Sequence, residues 1–143
     1  MADGYVVEAA GVTKRFRDSR RGALLTAVDC LDIRAARGKM TALIGPDGAG
    51  KTTFLRMVCG LMFPTEGILS VLGISVADKP ADVQRRLGYM PQKFGLYEDL
   101  TCMENMNLYA DLHGISAEER KERFEKLFHM TGLAPVSYTH LTL

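Results

Sequence analysis

Residues 45–53 read Gly-Pro-Asp-Gly-Ala-Gly-Lys-Thr-Thr, and this stretch decides the fold. A glycine, four residues and then Gly-Lys-Thr form the Walker A pattern of a phosphate-binding loop, or P-loop. Its glycines allow a tight turn that brings backbone N–H groups close to phosphate oxygens. Those N–H groups begin a helix, where unpaired donors and the positive dipole end attract anions. The stretch therefore predicts a nucleotide site made of Gly45, Pro46, Asp47, Gly48, Ala49, Gly50, Lys51, Thr52 and Thr53.

Two side chains of this loop carry the chemistry that a nucleoside triphosphate requires. Lys51 is expected to reach the β- and γ-phosphates as a point charge. The hydroxyl group of Thr52 is expected to ligate Mg²⁺.

The segments on either side of the loop fit the motif. Residues 39–44 are a short, mostly apolar run that predicts a buried parallel strand. After the loop, the apolar residues Phe54, Leu55, Met57 and Val58 recur at helical spacing, and Gly60 is a plausible helix stop. A glycine-rich turn that matches by chance is disfavoured, because strand, loop and helix follow in the required order.

Composition places the chain among ordinary globular domains. It has 143 residues, of which 47% are hydrophobic and 24% charged. A net charge of +1 gives no reason to expect a nucleic-acid partner, and we predict none. Cys30, Cys59 and Cys102 are far apart and show no metal-binding spacing. They predict free thiols in a reducing compartment, and hence a cytoplasmic chain.

Alternating apolar and polar residues predict strands over 5–13 and 24–33, which suit a half-solvated antiparallel sheet. The charged segment 17–22 between them predicts a loop, and residues 68–72 predict a further strand. Two helices are expected towards the end of the chain, one from the capping box at Thr101 to about Gly114 and one from Ser116 to Gly132.

Residues 88–97, Gly-Tyr-Met-Pro-Gln-Lys-Phe-Gly-Leu-Tyr, precede the predicted helical segment. This stretch resembles the Q-loop of ATP-binding cassette (ABC) ATPases. The resemblance implies that Gln92 contacts Mg²⁺ and the attacking water, and so acts in catalysis together with Lys51. Residues 12–16, Val-Thr-Lys-Arg-Phe, resemble the A-loop of the same family. There the resemblance implies that the ring of Phe16 stacks on adenine.

The resemblance covers residues 5–135 and is closest to ATP-binding subunits of bacterial ABC-2-type drug-efflux exporters. It implies an α/β P-loop NTPase core with an N-terminal antiparallel β-subdomain, part of a helical subdomain, and the C-terminal part of the fold missing. It also implies ATP and Mg²⁺ as ligands, with ABC-2-type membrane permease subunits and a second nucleotide-binding domain as partners. The location implied is the inner face of the bacterial plasma membrane. Asp47 departs from the usual Asn of the family, at a small cost if its carboxylate is exposed.

Other expected motifs do not occur in the sequence. After Gly60 there is no Leu-Ser-Gly-Gly-Gln-type signature and no apolar run ending in Asp-Glu (Walker B), and we assign no switch histidine. We therefore expect this chain to bind ATP at best, although the full-length parent would be an ATPase. Residues 136–143, Val-Ser-Tyr-Thr-His-Leu-Thr-Leu, match nothing expected in the family and resemble a translated sequencing adapter. We interpret them as a non-native tail.

Two other functions stay open at this point. One is a soluble P-loop GTPase or kinase, although the Asn-Lys-x-Asp motif that reads guanine is not present. The other is a non-catalytic module that uses the nucleotide only as a ligand. The sequence does not identify a transported substrate.

Overall fold

A four-stranded antiparallel sheet organises the first of two units, Met1–Met90, and helices organise the second, Pro91–Leu143. The computed structural model describes residues 4–17, 22–92 and 95–139. The sheet consists of β1 (Tyr5–Arg17), β2 (Leu24–Ala36), β3 (Glu66–Val71) and β4 (Ile74–Ser75), in the order β2-β1-β3-β4.

The predicted strands are confirmed, and β1 and β2 extend beyond their predicted ends. The alternation of apolar and polar residues in β1 and β2 follows from their burial, since one face of each strand packs on the core and the other meets solvent. Most of the loop predicted over 17–22 lies outside the described residues.

Two helices pack on this sheet. Helix α1 (Lys51–Val58) buries Phe54 and Met57, whereas Leu55 is exposed, so the apolar face is narrower than predicted. Gly60, with φ +66°, follows the helix and confirms the predicted stop. The short helix α2 (Pro80–Gln84) starts with a proline, buries Val83 and was not predicted. The core is formed by Ala9, Val12, Val28, Phe54, Met57, Leu69, Val71, Val76 and Val83.

The prediction of a buried strand over residues 39–44 is wrong for this chain. Within the described residues no strand forms there, and Met40 and Ile44 are 99% and 95% exposed. A parallel strand is stabilised by hydrogen-bonded neighbours and by cover on both faces. The four-stranded sheet offers the segment no pairing strand, and among residues 39–44 only Leu43 is half-buried, where it packs against the core.

The second unit contains helix α3 (Cys102–Leu112), helix α4 (Ala117–Thr131) and a single 3-10 turn at Ala134–Val136. The predicted capping box at Thr101 is confirmed, because its hydroxyl accepts a hydrogen bond from the backbone N–H of Glu104 while its own N–H donates to the Glu104 carboxylate. Ser116 caps α4 through the N–H of Glu119, and α4 ends at Gly132 with φ +68°.

The first four residues of the predicted tail, 136–139, lie against the start of α3, and residues 140–143 lie outside the described part. The carbonyl oxygen of Ser137 accepts a hydrogen bond from the N–H of Met103 at 2.8 Å, and that of Thr139 accepts one from Cys102 at 3.3 Å. These bonds satisfy N–H groups that a helix start leaves unpaired.

The combination of sheet and helices confirms the predicted α/β class. Among the described residues, none of the helices combines the length and the apolar character needed to cross a bilayer.

Candidate functional site

The P-loop joins the exposed segment 39–44 to helix α1 and is shaped by two glycines in the left-handed region. Gly48 has φ +79°, and Gly50, the N-cap of α1, has φ +82°. The loop is closed by a hydrogen bond from the N–H of Ala49 to the carbonyl of Pro46, at 3.3 Å. The helix begins with a bond from the N–H of Phe54 to the carbonyl of Gly50, at 2.9 Å.

Gly50 is also the point at which the loop touches the sheet. A Cβ atom at this position would lie 2.0 Å from the carbonyl oxygen of Ala27 and 3.1 Å from Cγ2 of Val28. A Cβ atom at Gly48 would meet nothing within 4 Å. The first glycine is therefore needed for its backbone conformation alone, and the second for its conformation and for close packing on β2.

Lys51 reaches back across the loop. Its ammonium group donates hydrogen bonds to the carbonyl oxygens of Gly45 at 2.7 Å and Pro46 at 2.6 Å. The charge is thus held at the mouth of the loop and satisfied by neutral acceptors. These are weaker partners for an ammonium group than a phosphate oxygen would be.

The N-terminus of α1 suits an anion. No side chain caps it, and its first turn contains no acidic residue, so the donors that a helix start leaves unpaired face the loop. Thr52 is exposed and Thr53 is half-buried. Asp47 is exposed, which is the condition under which its carboxylate is expected to be only slightly unfavourable near phosphate groups. Together with the cradle at Gly48 and Gly50, these features fit the phosphate groups of a nucleotide.

A groove of about 500 Å³ runs between the P-loop and the adjacent strand β2. Its lining residues come from both segments and are mostly apolar, with Asp29 and Lys51 as the charged ones. It is lined by Thr26, Ala27, Val28, Asp29, Leu31, Leu43, Ile44, Gly48, Ala49, Gly50, Lys51 and Phe54. Within residues 4–17, 22–92 and 95–139, no three His, Cys, Asp or Glu side chains gather as a metal site.

Phe16 lies near the end of β1, after a stretch where the pairing of β1 with β2 shifts register several times. The side chain is half-buried. The ammonium group of Lys14 lies 5.3 Å from the centre of its ring, within cation–π range. The same ammonium group donates a hydrogen bond to the carbonyl oxygen of Phe63 at 2.8 Å.

Neighbouring contacts join this end of β1 to the segment that follows α1. The N–H of Arg15 donates to the hydroxyl of Thr65 at 3.0 Å, and the N–H of Thr65 donates to the carbonyl of Thr13 at 2.8 Å. The Arg15 guanidinium is paired with the carboxylate of Glu66. The hydrogen bond to Glu66, followed by its charge, raises the pKa of Arg15 above its ordinary value.

Gln92 is exposed and belongs to the second unit, whereas Lys51 and Phe16 belong to the first. The next two residues of the predicted Q-loop, 93 and 94, lie outside the described part. The loop that follows is held by α3. The buried Asn105 accepts a hydrogen bond from the N–H of Tyr97 at 2.8 Å and donates to its carbonyl at 2.9 Å, and the Tyr109 hydroxyl donates to Gly95 at 2.6 Å.

The sequence reasoning missed Lys14 and Asn105. A lysine near an aromatic residue is too common to stand out, and a single Asn within a helix looks like an ordinary surface residue. Their roles depend on partners that only the folded chain brings close to them.

Comparison with known proteins identifies the family. A sequence profile described as ABC transporter matches residues 28–143. The chain belongs to the ABC transporter family. The family inferred from the Walker A and Q-loop motifs is therefore confirmed.

Two relatives and one solved structure illustrate the relation. "Probable multidrug ABC transporter ATP-binding protein YbhF" of Escherichia coli (strain K12) is 48% identical over 91% of this chain and 22% of its own length. "ABC transporter ATP-binding protein NatA" of Bacillus subtilis (strain 168) is 33% identical over 85% of this chain and 49% of its own. The dimeric ATP-binding cassette MJ0796, in a post-hydrolysis state bound to ADP and Pi, superposes with a TM-score of 0.80. It is 26% identical, over 94% of this chain and 61% of that chain.

The structural similarity confirms the predicted fold class, an ABC ATPase core present in part. The chain spans between about a fifth and about three fifths of the length of these proteins, since the shares are 22%, 49% and 61%.

Proposed function

We propose that this chain binds MgATP in the P-loop and forms the N-terminal part of the nucleotide-binding domain of an ABC exporter. The geometry around Gly50 and Lys51 carries the proposal. The loop is fixed against β2 by a contact that excludes any side chain at Gly50, and it holds an ammonium group beside an uncapped helix N-terminus. No other arrangement among the described residues combines these features.

Each residue of the loop has a role in this proposal. The backbone N–H groups at the start of α1 bind the phosphate oxygens, and Lys51 exchanges its carbonyl acceptors for the β- and γ-phosphates. Thr52 offers its hydroxyl group to Mg²⁺, and its exposure leaves that group accessible. When bound, Mg²⁺ neutralises phosphate charge and polarises the γ-phosphoryl group.

Phe16 and Gln92 have further roles in this proposal. Phe16 provides an aromatic surface for adenine. Stacking of a base on an aromatic side chain stabilises binding by about 1–3 kcal/mol. Gln92 would contact Mg²⁺ and the attacking water. The anchoring of the following loop by Asn105 and Tyr109 supports a defined position for this segment within its own unit.

We expect binding with little turnover. The sequence contains no apolar run ending in Asp-Glu that would supply a carboxylate to polarise water. The non-catalytic nucleotide-binding module is not favoured as the function of the whole protein. A GTPase or kinase is not favoured, since the family is that of ABC transporters.

In the whole protein, we expect two such domains to enclose ATP and drive ABC-2-type permease subunits for drug efflux at the inner face of the bacterial membrane. The similarity to YbhF, a probable multidrug ABC transporter protein, and to the dimeric MJ0796 supports this. A groove of about 390 Å³ between α3 and α4, largely apolar and including Phe124 and Phe128, supports a partner surface on the second unit.

Calorimetric titration of the chain with MgATP tests the proposal. Lys51→Met is expected to weaken binding at least about tenfold, because charge-assisted hydrogen bonds to phosphate are lost. Lys121→Met, which removes an exposed lysine of α4, is the control for charge and should leave the affinity unchanged. Equal affinities of the original chain and Lys51→Met would refute binding at the P-loop. A phosphate-release assay run in parallel separates binding from turnover.

We also propose that 5–135 is the native domain portion and that residues 136–143 are a non-native tail. Genomic DNA downstream of codon 135 tests this directly. Codons for the same eight residues in the source genome would refute the tail proposal.

A further inference from the structure

We propose that Lys14 is a positioning residue for the nucleotide base: it fixes the ring of Phe16, covers one face of it, and leaves the opposite face to receive the base. This inference rests on the proposed function. It gives a role to Lys14, which lies within the A-loop stretch 12–16 but to which that resemblance assigns none.

The first observation is that the ammonium group of Lys14 makes two contacts at once. Nζ of Lys14 lies 5.3 Å from the centre of the Phe16 ring and 2.8 Å from the carbonyl oxygen of Phe63. The hydrogen bond fixes where the charge stands, and the charge in turn favours one orientation of the ring, with its face towards the ammonium group. An aromatic side chain near a strand end otherwise retains freedom to rotate.

The second observation is the position of Phe63, whose carbonyl oxygen accepts the hydrogen bond from Lys14. Phe63 lies in the segment that follows α1, and α1 begins at the P-loop. Two further contacts tie the same segment to β1, namely those of Arg15 and Thr13 with Thr65. Lys14 therefore links the ring of Phe16, the proposed surface for adenine, to the segment that follows the P-loop and α1 in the same unit.

These contacts give Lys14 a specific effect on recognition. A base stacks on a ring face, and a face covered by an ammonium group is closed to it. Because Phe16 is only half-buried, the uncovered part of the ring remains accessible to a ligand. A ligand with phosphates but no base gains nothing from this arrangement.

The test compares MgATP with magnesium tripolyphosphate, which has the phosphate chain and no base. Calorimetry on the full chain should show tighter binding of MgATP. Lys14→Met should weaken MgATP binding about two- to fivefold, the factor expected for an exposed cation–π contact, and leave tripolyphosphate binding unchanged. Lys14→Arg, which keeps a cation and donors, should restore the ratio of the two affinities. In a Phe16→Ala background, Lys14→Met should have no further effect on that ratio.

Arg34→Met is the matched control, because the Arg34 guanidinium lies 5.3 Å from the ring centre of Tyr5 on the same sheet. It should leave the affinity ratio unchanged, and far-UV circular dichroism checks that each variant is folded. A Lys14→Met variant that binds both ligands equally more weakly, or MgATP as tightly as before, overturns the inference while the proposed function stands. Failure of the original chain to bind either ligand overturns the proposed function and this inference with it.

Discussion

Replacing Gly50 with alanine places a methyl group where the backbone of β2 already stands. The new Cβ would lie 2.0 Å from the carbonyl oxygen of Ala27, so the loop or the strand has to move. Gly48 provides a matched comparison, because its φ of +79° is close to the +82° of Gly50 and a Cβ there meets nothing within 4 Å. The pair separates the effect of backbone conformation from that of steric overlap.

The magnitudes follow from these two terms. An L-residue in the left-handed region costs about 1–2 kcal/mol at either position. The overlap at Gly50 adds about 1–3 kcal/mol, the range for an extra carbon forced into a packed site. Alanine also reduces the entropy of the unfolded chain by about 0.4–1 kcal/mol, but equally for both variants, so this term cancels in the comparison. Gly50→Ala should therefore be less stable than Gly48→Ala by about 1–3 kcal/mol.

Urea unfolding followed by far-UV circular dichroism measures this difference, since the chain contains no tryptophan for fluorescence. Both variants are compared with the original chain at the same protein concentration. Equal unfolding midpoints for the two variants would refute the argument that β2 blocks a side chain at Gly50.

Three further predictions concern other parts of the chain. Burial raises the pKa of the Cys59 thiol, so its alkylation should be slower than that of the exposed Cys30. The alkylation rate of Cys59 should also still increase with pH where the rate of an ordinary thiol has become constant. Mass spectrometry of a timed iodoacetamide reaction measures both, and faster labelling of Cys59 would contradict the prediction. Thr101→Ala should lower the free energy of unfolding by about 1 kcal/mol through loss of the helix cap, whereas Thr101→Ser should keep most of it; thermal denaturation measures both, and identical midpoints would count against the cap. Met40→Lys should slow aggregation on heating without loss of stability, because this apolar side chain is 99% exposed and exposed apolar surface promotes association. Light scattering during heating measures the aggregation rate, and an unchanged rate would contradict the prediction.

Features encoded by neighbouring residues were predicted well. The capping box joins Thr101 to Glu104 within one helical turn, and the φ of +68° that ends α4 needs only a glycine at 132. The backbone conformation of the P-loop is equally local, because its glycines and the helix that follows them are contiguous in sequence. Such features depend little on the rest of the fold.

Features that need distant partners were not predicted correctly. The apolar pattern of residues 39–44 predicts a strand, but a strand forms only beside another, and the described sheet places none there. The hydrogen bond from Lys14 to Phe63 joins residues 49 positions apart, and the close approach of Gly50 to Ala27 depends on how the loop meets β2. No local pattern encodes either contact.

The hydrogen bonds from Lys51 to the carbonyls of Gly45 and Pro46 hold its ammonium group at the mouth of the loop before any ligand binds. A free lysine side chain carries about 2 kcal/mol of rotamer entropy, and here much of that freedom is lost on folding rather than on association. A ligand must also outcompete two carbonyl oxygens that are already in place. A polyphosphate would do so because its charged oxygens form charge-assisted hydrogen bonds with an ammonium group, whereas a neutral ligand offers no better acceptor than the loop itself. In the proposed function, the loop would therefore favour polyanions over neutral ligands through Lys51, independently of the base.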